Sequence, residues 1–225
     1  MTPFAIVGAG MVAGSLHVVA GPDHLAALAP VAVHNRVRAV RLGALWGLGH
    51  GLGVISLGIV GISVAGLIEI DALSRWSEFV VGLMLIGVGS WSIRRSKTVV
   101  IHQHDHSHAD AEHHQHLHMH TGEDHDVAAH RGHAHAALGI GWLHGAAGAG
   151  HVFGVVPALA LPAADAAVYL GAYFVAAVVA MALFGGVLGA AAKRSGPRML
   201  RGLMTATGFS AVAIGIVWSV ASWPI

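Results

Sequence analysis

The chain has 225 residues, of which 55% are hydrophobic and only 10% charged, and its mean hydropathy is +0.68. These values exclude an ordinary soluble domain and indicate a membrane protein. The absence of cysteine excludes disulfides, thiolate zinc sites and iron–sulfur ligation. A net charge of +1 argues against a nucleic-acid partner, and because the first charged residue is Asp23 we expect no cleaved signal peptide.

Long stretches without Asp, Glu, Lys or Arg mark the predicted membrane spans, since an apolar helix needs roughly 20 residues to cross a bilayer. We predict an all-α integral membrane protein with six spans, in residues 1–22 (with an extension to 35), 42–68, 79–93, 132–164, 166–192 and 202–225. The predicted organisation is a three-helix unit (1–95), a histidine-rich loop (96–135) and a second three-helix unit (136–225).

The basic residues predict the orientation of these spans. Eleven of the twelve lie on one side of the predicted membrane, and only Arg75 lies on the other. The positive-inside rule then places the protein in the cytoplasmic (inner) membrane, with both termini outside and the histidine-rich loop in the cytoplasm.

Two parts of the chain resemble each other at an offset of 127 residues. His17 and His24 match His144 and His151, and a proline follows six residues after the second histidine in each part. Each half contributes an odd number of spans, so the second half would enter the membrane upside down, as an inverted repeat. Such repeats place the binding site between the halves, near interrupted helices, and Gly21-Pro22 is the predicted helix break.

Six ionisable residues lie within the predicted spans, where they are costly and usually face a cavity or a partner. They are His17, Asp23, His24, His50, His144 and His151. Imidazoles with one carboxylate favour a borderline divalent ion, namely Ni(II), Co(II) or Zn(II). The alternative for a single member is an ordinary hydrogen bond to a neighbouring helix.

The spacing within this set leaves two geometries open. Seven helical residues span about 10.5 Å along the axis, which is too far for His17 and His24 to share an ion in an unbroken helix. Either the helix unwinds at Gly21-Pro22 or the two histidines form successive stations.

The loop is the richest histidine segment of the chain, with thirteen of the nineteen. The stretch from His102 to His135 carries six acidic residues and one arginine, which give it a formal charge of −5 when the histidines are neutral. Such composition predicts a disordered metal-buffering segment, and a pH sensor is the alternative. The predicted ligands are His102, His104, His106, His108, His113, His114, His116, His118 and His120.

The segments His17-Val-Val-Ala-Gly-Pro-Asp23-His24 and Trp46-Gly-Leu-Gly-His50-Gly resemble the nickel/cobalt transporter superfamily, and most closely its UreH-like branch. The resemblance implies a secondary permease for nickel or cobalt ions, with His17, Asp23 and His24 as binding residues. It implies no enzymatic activity and no permanent cofactor, since the metal ion is the substrate.

Alternatives to this function are a metal exporter or zinc carrier, and a haem-binding electron-transfer protein with histidine axial ligands. The expected partners are the metal ion and the bilayer, with metallochaperones or nickel-enzyme maturation proteins as further candidates. Direction of transport, coupling ion and oligomeric state do not follow from the sequence.

Overall fold

The computed structural model describes residues 2–63, 70–98, 100–107, 113–120, 129–146, 157–158 and 160–223. Its elements are α1 (Pro3–Ala20), α2 (Pro22–His34), α3 (Ala39–Ser63), α4 (Ile70–Thr98), β1 (Val100–Ser107), β2 (His113–His120), α5 (Ala129–Gly145), α6 (Ala163–Arg194) and α7 (Pro197–Ala221).

The first apolar stretch forms two helices rather than one. Thr2 caps the start of α1 at Pro3, since its hydroxyl accepts a hydrogen bond from the amide of Ala5. Helix α1 ends at Ala20, and α2 begins at once with Pro22, which occupies a first-turn position where no backbone donor is needed. The chain therefore breaks its helix at Gly21, between the two halves of the stretch.

The short helix α2 lies at the centre of the molecule. It contacts α1, α3, α4, α6 and α7, and its central residues from Ala26 to Pro30 are all buried. Around it, α1 packs against α6, α3 packs against both α5 and α6, and α4 packs against α7. Helix α2 thus reaches most of the bundle's other helices, and its first residues lie beside α1 and α3.

Small residues allow the outer helices to approach closely. Gly82 and Gly89 of α4 face Gly215 and Gly208 of α7, and a Cβ atom added at any of the four would meet backbone of the opposite helix within 3.0 Å. This is the small-residue packing typical of membrane helices.

Large apolar side chains cover much of the outer surface. Val187 is 67% exposed, Leu183 64% and Val220 71%, which suits a surface that faces lipid rather than water. By length and composition, three helices among the described residues can cross a membrane: α1, α6 and α7. The structure thus shows a helical, membrane-associated protein, and three helices among the described residues meet the length and composition of a span where six were predicted.

The segment predicted to be disordered contains an antiparallel hairpin in its described part. Strands β1 and β2 pair with Val100 opposite His120 and Ser107 opposite His113. The prediction of disorder was therefore wrong for these two segments. Composition showed that little could be buried there, but not that two eight-residue runs could pair through their backbones.

Candidate metal centre

The helix break brings the two ends of the His17–His24 segment together. His17 lies in the last turn of α1, and Asp23 and His24 lie in the first turn of α2, where the helix dipole favours a negative charge. A Cβ atom at Gly21 would collide with the His24 ring and lie 3.0 Å from the Asp23 carboxylate. Position 21 therefore needs glycine because these two side chains fold back over it.

Asp23 joins histidines from two helices. One carboxylate oxygen, Oδ1, lies 2.9 Å from Nδ1 of His24, and the other, Oδ2, lies 3.2 Å from Nε2 of His144 on α5. Both histidines are almost fully buried, at 3% and 1% exposure. A carboxylate placed between two buried imidazoles can accept a hydrogen bond from each, or can bind a cation together with them.

A second contact joins α1 to α3. Nε2 of His17 lies 3.4 Å from Nε2 of His50, and His50 is 3% exposed. Two ring nitrogens that face each other at this distance must share a proton or a cation, because two lone pairs would repel.

His24 lies at the middle of the imidazoles. Its ring centre is 4.6 Å from that of His17, 4.8 Å from that of His50 and 4.6 Å from that of His144, with the rings nearly perpendicular in two of the three contacts. The outer rings are further from one another, with 5.5 Å between His17 and His50 and 5.6 Å between His50 and His144.

Two groups of three residues have ligand atoms close enough to hold a metal ion, with all atoms of each group within 4.8 Å of one another. One group is His17, His24 and His50, and the other is Asp23, His24 and His144. We call these five residues the central cluster. Four helices, α1, α2, α3 and α5, contribute to it, and its donors are four imidazoles and one carboxylate.

The structure also places two residues beside the cluster that the sequence analysis did not select. The ring of Trp46 lies 6.1 Å from that of His144, and the ring of Tyr173 on α6 lies 5.7 Å from that of His17. Among the described residues, neither the indole nitrogen of Trp46 nor the hydroxyl of Tyr173 has a hydrogen-bond partner. Tyr173 is one of only two tyrosines in the chain, and a phenol within an apolar span was the signal that could have identified it.

The other predicted ligands are not in this cluster. His151 and His108 lie outside the described residues. The remaining eight loop histidines lie on β1 and β2. His34 lies at the end of α2, with its ring 4.9 Å from that of Trp91, and belongs to neither ligand group.

Comparison with known proteins gives two relatives, both from Arabidopsis thaliana. The chain is 31% identical over 215 residues to "Chloroplast protein FOR GROWTH AND FERTILITY 2", a match that covers 92% of this chain and 54% of that protein. It is 36% identical over 91 residues to "Chloroplast protein FOR GROWTH AND FERTILITY 1", covering 40% of this chain and 25% of that protein. The chain thus spans about half the length of the first relative. No protein-family model and no solved structure matches it.

These findings overturn the resemblance to the nickel/cobalt transporter superfamily. No family model supports it, and the relatives are named for chloroplast growth and fertility. The prediction of a nickel or cobalt permease was therefore wrong, together with its exporter and zinc-carrier alternatives, since the relatives are named as growth and fertility proteins and not as metal permeases. The resemblance depended on motifs of about 35 residues, whereas the similarity to the first relative extends over 215.

Proposed function

We propose that this protein is a membrane protein that binds one divalent transition-metal ion inside its helix bundle, at the central cluster. The observation that carries the proposal is the convergence of four imidazoles and one carboxylate from four helices, in two groups whose ligand atoms lie within 4.8 Å. Structural and catalytic metal sites in proteins are built from such donors.

Burial makes an ordinary structural role a poor explanation of the cluster. Five ionisable side chains in an apolar bundle are costly unless they are paired with each other or with an ion. The single carboxylate, Asp23, accounts for contacts to only two of the four histidines. His17 and His50 can hold a cation together, since their Nε2 atoms face each other at 3.4 Å.

The donor chemistry defines the class of ion. Imidazole nitrogen suits borderline ions such as Zn(II), Ni(II) and Co(II), whereas Mg(II) and Ca(II) prefer sites rich in oxygen. We also propose that the histidines of the loop bind the same class of ion, as a separate set.

The helix packing supports a finer architecture, in which six crossings form two inverted repeats. In this architecture α1 with α2 corresponds to α5, α3 corresponds to α6, and α4 corresponds to α7. A twofold relation between the halves then requires that a contact of α1 with α6 be matched by a contact of α5 with α3, and that α3 contact α6 and α4 contact α7. All of these contacts are present. A pseudo-twofold relation of this kind places the central cluster close to the interface of the halves.

The charge distribution supports a finer location and orientation. Arg36, Arg38, Arg95, Arg194 and Arg198 all lie at or just beyond the helix ends next to the loop side. We propose that this end faces the cytoplasm in a cytoplasmic membrane and that both termini lie outside.

The orientation can be tested by cysteine labelling, because the chain has no cysteine of its own. Single cysteines introduced in place of Arg198 and of Arg75 can be tested for labelling from each side of the membrane. Labelling of both from the same side would contradict this orientation.

The metal proposal is tested by direct binding. The full chain is prepared with the thirteen histidines from His102 to His135 changed to Gln, so that the loop cannot compete for the metal ion. A chelator then removes any bound metal from the purified protein. Isothermal titration with Zn(II), Ni(II) and Co(II), and with Mg(II) as the control ion, should show saturable binding of the transition ions only. A chain that binds none of them would overturn the proposal.

A further inference from the structure

We infer that the central cluster holds its ion in two mutually exclusive positions that share His24. This inference rests on the proposed function and specifies how the same site works. In the first position the ion is bound by His17, His24 and His50, and in the second it is bound by Asp23, His24 and His144. His24 belongs to both groups, and no other residue does.

The two nitrogens of the His24 ring explain how one residue serves both positions. Nδ1 lies 2.9 Å from Oδ1 of Asp23, so Nδ1 is the nitrogen on the carboxylate side. Nε2 lies across the ring from Nδ1 and is also buried, and we assign this nitrogen to the ion bound with His17 and His50. The ring therefore offers a different nitrogen to each group.

A neutral imidazole has one protonated nitrogen and one nitrogen that can bind a metal. With the ion in the first position, Nε2 binds it while Nδ1–H donates to Asp23, which orients the ring as carboxylates commonly do for metal-bound histidines. With the ion in the second position, Nδ1 binds it and Nε2 carries the proton. The positions thus correspond to the two tautomers of His24, and the ring cannot be in both at once.

Charge also argues against two ions together. Two divalent ions would bring four positive charges to a cluster in which His24, His50 and His144 are buried and whose only carboxylate is Asp23. Such an excess of buried charge is strongly unfavourable in an apolar bundle. One ion leaves a net charge of +1, which buried imidazole dipoles and a water ligand can stabilise.

The experiment compares variants that remove one group with a variant that removes the shared residue. It uses the full chain with the thirteen loop histidines changed to Gln and measures Zn(II) stoichiometry and affinity, and the number of imidazole ligands by X-ray absorption. The variants are His17→Ala/His50→Ala, Asp23→Asn/His144→Ala, and His24→Ala. His34→Ala is the control, since His34 lies outside the cluster, and thermal unfolding in detergent checks the fold of each protein.

We expect one equivalent of Zn(II) in the parent protein and in both double variants. Asp23→Asn/His144→Ala should show three imidazole ligands, and His17→Ala/His50→Ala should show two. His24→Ala alone should weaken binding at least about tenfold more than either double variant, because it damages both positions. If a double variant does not fold, the single variants His17→Asn and His144→Asn give the same comparison of ligand counts.

The failure of this inference differs from the failure of the proposed function. Absence of saturable Zn(II) binding in the parent protein would remove the proposed function itself. Binding of two equivalents of Zn(II) by the parent protein would show two independent sites and would overturn the inference that the two positions exclude each other. Loss of binding in both double variants, to the extent seen with His24→Ala, would show one compound site and also overturn it.

Discussion

The Nε2 atoms of His17 and His50 lie 3.4 Å apart, although 33 residues separate the two histidines in the chain. Two nitrogens bound to one tetrahedral ion at about 2.0–2.1 Å are about 3.3–3.4 Å from each other. The pair therefore already has the separation of two ligands on one zinc-like ion. Helices α1 and α3 hold this separation without any covalent link between them.

The first prediction concerns this pair. Replacement of His50 by alanine should lower Zn(II) affinity, because it disrupts the position formed by His17, His24 and His50 and leaves the ion only the position formed by Asp23, His24 and His144. Isothermal titration in the background without loop histidines measures the change. His34→Ala should bind as the parent protein does. Equal affinity in the His50→Ala and His34→Ala proteins would show that His50 is not a ligand.

The sequence was sufficient to select every residue of the central cluster but not to arrange them. Ionisable residues in apolar spans identified His17, Asp23, His24, His50 and His144, because each is costly there unless it has a partner. Their distances from each other depend on which helices pack together, and periodicity within one helix carries no such information.

The helix break is the clearest example of this limit. Proline after glycine predicted an interruption, but two outcomes remained open, an unwound helix or two successive stations. In the structure α1 ends at Ala20 and α2 begins at Pro22, and the rings of His17 and His24 come within 4.6 Å. The direction of α2 after the break depends on its contacts with five other helices, which no local pattern encodes.

A second prediction tests the close packing that supports the cluster. A Cβ atom at Gly145 of α5 would collide with the backbone carbonyl of His50 on α3, whereas a Cβ atom at Gly139 of α5 would meet nothing within 4 Å. Gly145→Ala should therefore push the two helices apart. It should lower the free energy of unfolding by about 1–3 kcal/mol and weaken Zn(II) binding.

The matched control for this change is Gly139→Ala on the same helix. It should leave both the unfolding free energy, measured by denaturant titration in detergent, and the Zn(II) affinity close to those of the parent protein. If Gly145→Ala and Gly139→Ala behave alike, the contact between α3 and α5 does not position the cluster.

A third prediction concerns the pairing of α4 with α7. The buried hydroxyl of Ser92 donates a hydrogen bond of 2.9 Å to the backbone carbonyl of Met204. Ser92→Ala should lower the free energy of unfolding by about 0.5–1.5 kcal/mol without changing Zn(II) affinity. Ser210→Ala is the control, since the exposed hydroxyl of Ser210 bonds only within its own helix, to Ala206. A larger loss in Ser210→Ala than in Ser92→Ala would contradict this assignment.

A fourth prediction is the pH dependence of metal binding. Metal ligands must be deprotonated, so protons compete with the ion for the imidazole nitrogens. Zn(II) affinity, measured by titration at a series of pH values, should therefore fall as the pH is lowered. His17→Ala should make this decline less steep than in the parent protein, because one nitrogen for which protons compete is lost. An equal steepness in the two proteins would show that His17 is not a ligand.

A fifth prediction concerns the histidines of the hairpin. In its register, His102 pairs with His118, His104 with His116, and His106 with His114. These pairs stand at every second position of the register. Directly opposed residues in an antiparallel pair of strands are neighbours across the ladder. We therefore expect the hairpin to bind metal as pairs rather than as independent histidines.

Two double variants with the same composition distinguish these possibilities. His104→Gln/His116→Gln removes both members of one pair and should leave two pairs intact. His104→Gln/His118→Gln removes one member from each of two pairs and should leave only one intact. In a His24→Ala background, which weakens the central cluster, Zn(II) titration should therefore show a greater loss of equivalents in the second variant. Equal losses would mean that the histidines act independently of the strand register, because both variants lack two histidines.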